Sequence, residues 1–398
     1  MIEASNREDE APPRLIRGER GWWFLGPGGI ARLGDGHLTP ARTLRPDVER
    51  GLREQGLFTV RPSRSYSLTV LTATACNLGC AYCFQNLDQD GGGGTSPPRI
   101  GSVRLTSGVI AEILTFVGRR QAESGLDGLL LTIFGGEPLM NPRGCLELLE
   151  RAAGYGLRRA GMVSNGTLLT PRLARQLADL GLRYVQVTFD GDRPDHDRIR
   201  VRRTGGGTFD AIVGAMAAMT ETTSVRCDLR VNVSPQNVAG IDTLVERLAA
   251  ALDPSRCTIH FARVGDAGVG YEDTLAYSDD LADRFIRWQR RALDLGFTVP
   301  RPHVRRPCNA CSYRDGKYGA VVSPDGALYS SWTTAGRPEL RVGTARDGYL
   351  PGERTEDRWI TCEDTYGRAG DTREAARFRD RVDAAHLDHL SATGRLRA

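Results

Sequence analysis

The chain has 398 residues, 40% of them hydrophobic and 26% charged, with a formal net charge of +4. That content suits one large core with one or two small additions. Lys+Arg 53 and Asp+Glu 49 are interspersed, which excludes a strongly basic nucleic-acid surface. No apolar run approaches the ~18 residues of a spanning helix, and the first ten residues carry no signal-peptide core. The sequence therefore reads as cytoplasmic, with no nucleic-acid or membrane partner.

In chain order, residues 1–10 read as a disordered polar tail. Residues 11–66 form a short strand and helix segment, with a strand at Trp22-Trp23-Phe24-Leu25 and a helix from Pro46 to Leu57. Leu68 to Ala73 is a strand leading into a cysteine-rich loop. Asp88 to Pro98, with four consecutive glycines, reads as a linker. Strands and helices then alternate. Thr106 or Ser107 caps a helix through Val117, and a strand follows at Leu129–Phe134. The later pairs are Arg143–Ala153 with Met162–Ser164, Thr170–Leu180 with Val185–Phe189, and Phe209–Met219 with Val225–Val233. Ile241–Leu252 with Thr258–Val264, then a helix at Ser278–Leu295, complete the series. This alternation predicts an α/β fold with a parallel sheet, open or curled into part of a barrel, whose ligands bind beyond the C-terminal strand ends. From about residue 300 the period changes. Tyr318–Ser323, the turn Pro324-Asp325-Gly326 and Ala327–Ser330 read as a β-hairpin in a small C-terminal domain.

Nine cysteines include one tight run, which points to metal binding in a reducing compartment rather than a disulfide framework. Cys76, Cys80 and Cys83 have the spacing C-x3-C-x2-C. Three thiols on one loop can hold three corners of a four-iron cluster and leave the fourth iron open to a small molecule. A zinc site would prefer a fourth ligand nearby. Gly135-Gly136-Glu137-Pro138 follows the next strand, where two glycines allow close backbone approach. Ser164-Asn165-Gly166 follows the strand after that and offers a polar edge or a plain turn. Thr188-Phe189-Asp190-Gly191 leads to His196-Asp197 and Arg200, and a guanidinium fork suits a carboxylate. Cys145, Cys227 and Cys257 fall in predicted helix or strands and read as core.

Together these runs resemble the radical S-adenosylmethionine (radical SAM) enzymes, in particular the anaerobic sulfatase maturases and related peptide-modifying members. The resemblance implies a partial (β/α)6 TIM-like barrel over residues 67–298. It implies a 4Fe-4S cluster on Cys76, Cys80 and Cys83. It also implies S-adenosylmethionine contacts at Gly135, Gly136, Glu137, Ser164, Asn165, Thr188 and Arg200, with Tyr82 at the adenine end. Residues 299–398 are similar to the start of a SPASM or twitch extension, cysteine-depleted, with Ser331 where such extensions have a cysteine. One auxiliary cluster on Cys308, Cys311 and Cys362 is the expectation beside a hairpin that lost its metal.

The resemblance implies hydrogen abstraction from a ribosomally made peptide or protein side chain, giving a cyclophane or thioether crosslink. A precursor peptide and a flavodoxin- or ferredoxin-type electron donor are the implied partners. The strand at Trp22 offers an edge for a leader peptide or merely caps the barrel. The other readings are a small-molecule dehydrogenase or cyclase with a twitch-like tail and a non-catalytic iron–sulfur scaffold. The sequence names no acid or base.

Overall fold

A computed structural model describes residues 12–60, 63–85, 101–265, 273–304, 307–362, 364 and 372–396. The N-terminal tail and the glycine-rich linker lie outside these residues. Three short strands, β1 (Arg14–Gly18), β2 (Gly21–Gly26) and β3 (Gly29–Leu33), form an antiparallel sheet in that order, followed by α1 (Pro46–Glu54). The strand expected at Trp22 is β2, the middle one, so it has no open edge of its own.

The main sheet has ten strands. Six of them run parallel in sequence order: β4 (Ser65–Ala73), β5 (Gly128–Gly135), β6 (Leu157–Val163), β7 (Leu182–Phe189), β8 (Arg226–Val233) and β9 (Cys257–Arg263). The helices between them are α2 (Ser107–Ser124), α3 (Pro142–Ala152), α4 (Pro171–Asp179), the short α5 (Arg193–Ile199), α6 (Phe209–Thr222) and α7 (Ile241–Ala251). α8 (Asp279–Asp294) follows β9. Helix starts are chemically marked: the side chains of Thr106, Asn141, Thr170 and Ser278 each accept a first-turn amide.

The expected hairpin forms as β10 (Gly319–Val322) and β11 (Ala327–Tyr329), and the small strands β12 (Gly343–Thr344) and β13 (Gly348–Tyr349) continue it. β10 pairs in parallel with β4, so the hairpin extends the main sheet. Gly319 permits this approach, because a Cβ there would lie 2.5 Å from the Ser67 carbonyl oxygen.

Strand alternation splits the sheet into two faces. Leu129, Leu131, Ile133, Val185, Val187, Leu229 and Val231 are buried against the helices. Thr132, Phe134, Tyr184, Gln186, Thr188, Asp228, Arg230 and His260 alternate with them and are only half-buried, lining the inner side. A final helix, α9 (Arg373–Ala392), joins β1 to α8, and Trp23 donates its indole N–H to Asp388 at 2.9 Å. Among the described residues, no helix is long and apolar enough to cross a membrane.

Candidate active site at the C-terminal strand ends

The Cys76–Cys83 loop leaves the end of β4. Cys80 is buried, and Cys76 and Cys83 are half-buried. The loop is fastened to the segment that carries Arg200: Gly79 donates to the Val201 carbonyl at 3.0 Å, and Arg203 Nε donates to the Cys76 carbonyl at 3.1 Å. Burial raises the Cys76 thiol and pushes Cys80 up to about 12. Metal coordination would reverse that preference by stabilising thiolates.

Gly135 and Gly136 bring the end of β5 against this loop. A Cβ on Gly136 would lie 2.4 Å from the Thr74 carbonyl oxygen and 2.6 Å from that of Ala75. Gly136 and Glu137 donate their amides to Ala73 and Ala75, both at 2.9 Å. The Glu137 side chain is completely buried. It accepts from Leu139 N at 2.9 Å, Ser164 Oγ at 2.8 Å and Asn165 N at 2.7 Å. Burial pushes its carboxyl up, opposed by these donors. Glu137 thus braces the ends of β5 and β6 from beneath.

Ser164 and Asn165 relay that brace to the cysteine loop. Asn165 Nδ2 donates to Asn77 Oδ1 at 2.8 Å and lies 3.8 Å from Cys76 Sγ.

Tyr82 and Arg200 meet Asp190. The Tyr82 hydroxyl donates to Asp190 Oδ2 at 2.7 Å and accepts from Arg200 Nη1 at 2.8 Å and Asn232 Nδ2 at 3.2 Å. Arg200 Nη1 also lies 3.3 Å from Asp190 Oδ2. Burial pushes the Asp190 carboxyl up against the pull of Arg200. Burial likewise holds the Tyr82 phenol neutral, well above its ordinary value. Arg200 Nε is buried with no hydrogen-bond partner.

His196 and Asp197 support this group. Asp190 N approaches His196 Nδ1 at 3.3 Å, His196 Nε2 meets Thr208 Oγ1 at 3.1 Å, and Thr208 Oγ1 donates to the Arg200 carbonyl at 2.9 Å. Burial lowers His196 to about 2, so it stays neutral. Asp197 accepts the amides of Thr208 and Phe209 at 2.7 and 2.8 Å, which starts α6.

Thr188 lies on the inner face of β7, in register with Arg230 of β8, which pairs with His260 of β9. Arg230 Nε donates to Asn232 Oδ1 at 2.9 Å. One row deeper, Asp228 accepts from Gln186 at 2.7 Å and lies 3.2 Å from His260 Nδ1. Tyr82, Arg200 and Asp190 are therefore brought together. Thr188 sits in the row of Arg230, which bonds Asn232, and Asn232 in turn donates to Tyr82.

A second cysteine site lies beyond β10. Cys308, Cys311 and Cys362 place their sulfurs within 4.8 Å of one another. Hydrogen bonding from Cys311, then Cys362, holds the Cys308 thiol below its ordinary value. A ladder of rings runs from the first loop toward this second site. Phe84 stacks on Phe134 at 6.5 Å between centroids, and Phe134 faces Trp332 at 6.0 Å. Trp332 is 39% exposed, unusual for so large an apolar side chain.

Residues 70–248 match the model of the radical SAM superfamily. The chain carries a radical SAM domain. Among curated relatives, the Fe-coproporphyrin III synthase of Methanosarcina barkeri is 25% identical over 71% of this chain and 66% of its own length. The mycofactocin maturase MftC of Mycobacterium tuberculosis is 28% identical over 46% of this chain and 42% of its own. The PqqA peptide cyclase of Rhizobium meliloti is 26% identical over 69% of each. The chain thus spans less than two thirds of the first two relatives. A solved structure of native anSMEcpe with bound AdoMet and Cp18Cys peptide superposes with a TM-score of 0.58. At 15% identity it covers 83% of this chain and 100% of that one, a likeness of fold.

Sequence reasoning missed several residues of the radical SAM domain. Asn77 and Thr208 are among them, and no spacing marked them. Asn232 lies in the expected strand Val225–Val233, and nothing in the sequence singled it out.

Proposed function

We propose that this protein is a radical SAM enzyme that abstracts hydrogen from a ribosomally made peptide or protein side chain and forms a crosslink, a cyclophane or a thioether. The single observation behind the cofactor reading is Arg200. A guanidinium held at the strand ends with a buried, unpartnered Nε fits a carboxylate such as that of S-adenosylmethionine. Cys76, Cys80 and Cys83 would hold the 4Fe-4S cluster. Bound together, cluster and cofactor supply a 5′-deoxyadenosyl radical.

The chain's own residues position and shield. Arg200 and Thr188 would take the carboxylate. The backbone of Gly135 and Gly136 would meet the amine. Tyr82 and Asp190 fix the guanidinium. Glu137, Ser164 and Asn165 keep the cysteine loop and the β5 end in register. Phe134 and the exposed Trp332 offer an aromatic wall for a substrate side chain.

The peptide-bound neighbour of like fold and the peptide cyclase relative support a peptide substrate. A flavodoxin- or ferredoxin-type protein would donate the electron, in the cytoplasm where the thiols stay reduced. The match to the coproporphyrin enzyme, covering 71% of this chain, favours a small-molecule substrate as the second reading.

The test is anaerobic reconstitution followed by dithionite reduction. Release of 5′-deoxyadenosine that rises with a short precursor peptide encoded beside the chain supports the proposal. Release that no such peptide changes favours the small-molecule reading. No release at all overturns both.

A further inference from the structure

Cys308, Cys311 and Cys362 are the one trio of metal-ligating side chains among the described residues drawn within 4.8 Å. That spacing has a chemical meaning. In a cubane each thiolate binds a different iron, so the sulfurs stand apart. Around one tetrahedral zinc, bonds of ~2.3 Å set the sulfurs roughly 3.8 Å from each other.

The backbone prepares these sulfurs as ligands. Cys308 accepts the amides of Cys311 and Ala310, the turn expected of a C-x2-C knuckle. Cys311 accepts the amide of Cys362 at 3.4 Å. A buried hydroxyl also adjoins the trio. Ser331 is 1% exposed, and its Oγ lies 3.5 Å from Cys362 Sγ, with Thr333 Oγ1 behind it at 3.0 Å. The segment bearing Cys362 is docked independently. Trp359 donates its indole N–H to the Cys311 carbonyl at 2.8 Å, and Ser330 Oγ bonds both the Ile360 carbonyl and amide, at 2.8 and 3.1 Å.

We propose that Cys308, Cys311 and Cys362 hold a single tetrahedral metal ion of the zinc class, with the Ser331 hydroxyl marking the fourth position, in place of an auxiliary iron–sulfur cluster. The ion ties the segment carrying Trp359 and Cys362 onto the loop before β10, so its role is structural. The assignment does not depend on the reaction proposed above.

The experiment uses the full chain carrying Cys76→Ala, Cys80→Ala and Cys83→Ala, so that any remaining metal reports the second site. After anaerobic incubation with zinc, ferrous iron and sulfide together, then desalting, metals are counted by mass spectrometry and sulfide by colorimetry. The expected result is about one zinc per chain with iron and sulfide near background. Adding Cys311→Ala should drop zinc at least tenfold. Iron and sulfide retained in equal amounts overturns the proposal, and so does a folded chain that retains no metal. Should the variant fail to fold, unaltered protein loaded with cobalt(II) decides it. Thiolate-tetrahedral visible absorption that Cys362→Ala abolishes supports the single ion, and its absence overturns it.

Discussion

The phenol of Tyr82 and the carboxylate of Asp190, 108 positions apart, meet at 2.7 Å, and Arg200 donates to the same phenol oxygen at 2.8 Å. One hydroxyl therefore fixes the cysteine loop to the end of β7. Tyr82→Phe removes three hydrogen bonds at a buried point and leaves Asn232 and Arg200 each one acceptor short. The expected loss is about 1–3 kcal/mol of stability, read by chemical denaturation, together with slower 5′-deoxyadenosine release.

Arg200→Gln leaves Asp190 buried without its cation. Breaking such a pair costs about 3–5 kcal/mol. Arg200→Gln combined with Asp190→Asn should recover much of that stability, because no lone charge remains. Cofactor affinity should stay at least about tenfold weaker in both variants, measured by equilibrium binding, since a carboxylate fork is absent from each. Affinity restored in the double variant would refute the assignment of Arg200.

His196 sets a pH dependence of stability. Its folded value is about 2 against an ordinary 6.5, because burial disfavours the charged ring. Below about pH 6.5 the unfolded chain takes up a proton that the folded ring refuses, so stability falls as pH falls. The slope from this group is about 1.4 kcal/mol per pH unit. Its contribution is full above the ordinary value and declines toward pH 2. His196→Gln should flatten the acid limb relative to the unaltered protein, measured by urea midpoints between pH 4 and 7.

Gly136→Ala tests the close approach of β5 to the cysteine loop. The added methyl would meet two backbone oxygens at 2.4 and 2.6 Å, and neither can swing away as a side-chain tip could. The loop must move outward. Iron loading at the Cys76 loop should fall several-fold, while zinc at Cys308, Cys311 and Cys362 is unchanged. Normal iron content would remove the steric account.

Glu137→Gln replaces one acceptor oxygen with a donor, facing Leu139 N, Ser164 Oγ or Asn165 N. A buried donor loses its partner, at a cost of about 1–3 kcal/mol. Reconstitution should be less complete, because Asn165 approaches Cys76.

The barrel was legible where the hydrophobic period was clean. The β5 strand lies within one residue of its expected limits, because an unbroken apolar run between turn signals has few other outcomes. β6 starts earlier than expected, at Leu157, since Arg158 and Arg159 are exposed at its entry and hide the pattern. α9 was missed altogether: its charged residues, such as Arg14's partner Asp383, meet the N-terminal sheet through ion pairs that no periodicity reveals. At the site, Cys76, Cys80, Cys83 and Arg200 could be marked as candidates in the sequence, because their chemistry is explicit in the residue type. The use made of Glu137 was not. A carboxylate that serves as a buried brace looks the same in sequence as one that faces a ligand. The structure gathers the expected trio Cys308, Cys311 and Cys362, but no spacing revealed that the docking of Trp359 brings Cys362 there.

The pairing of β10 with β4 gives the C-terminal part of the chain a protective duty. A protein cut ahead of Gly319 would turn β4 into a rim, with a column of bare amides and carbonyls beside the cysteine loop. Such a fragment should clump and lose its iron together, and light scattering alongside metal counts would register the two failures as one event.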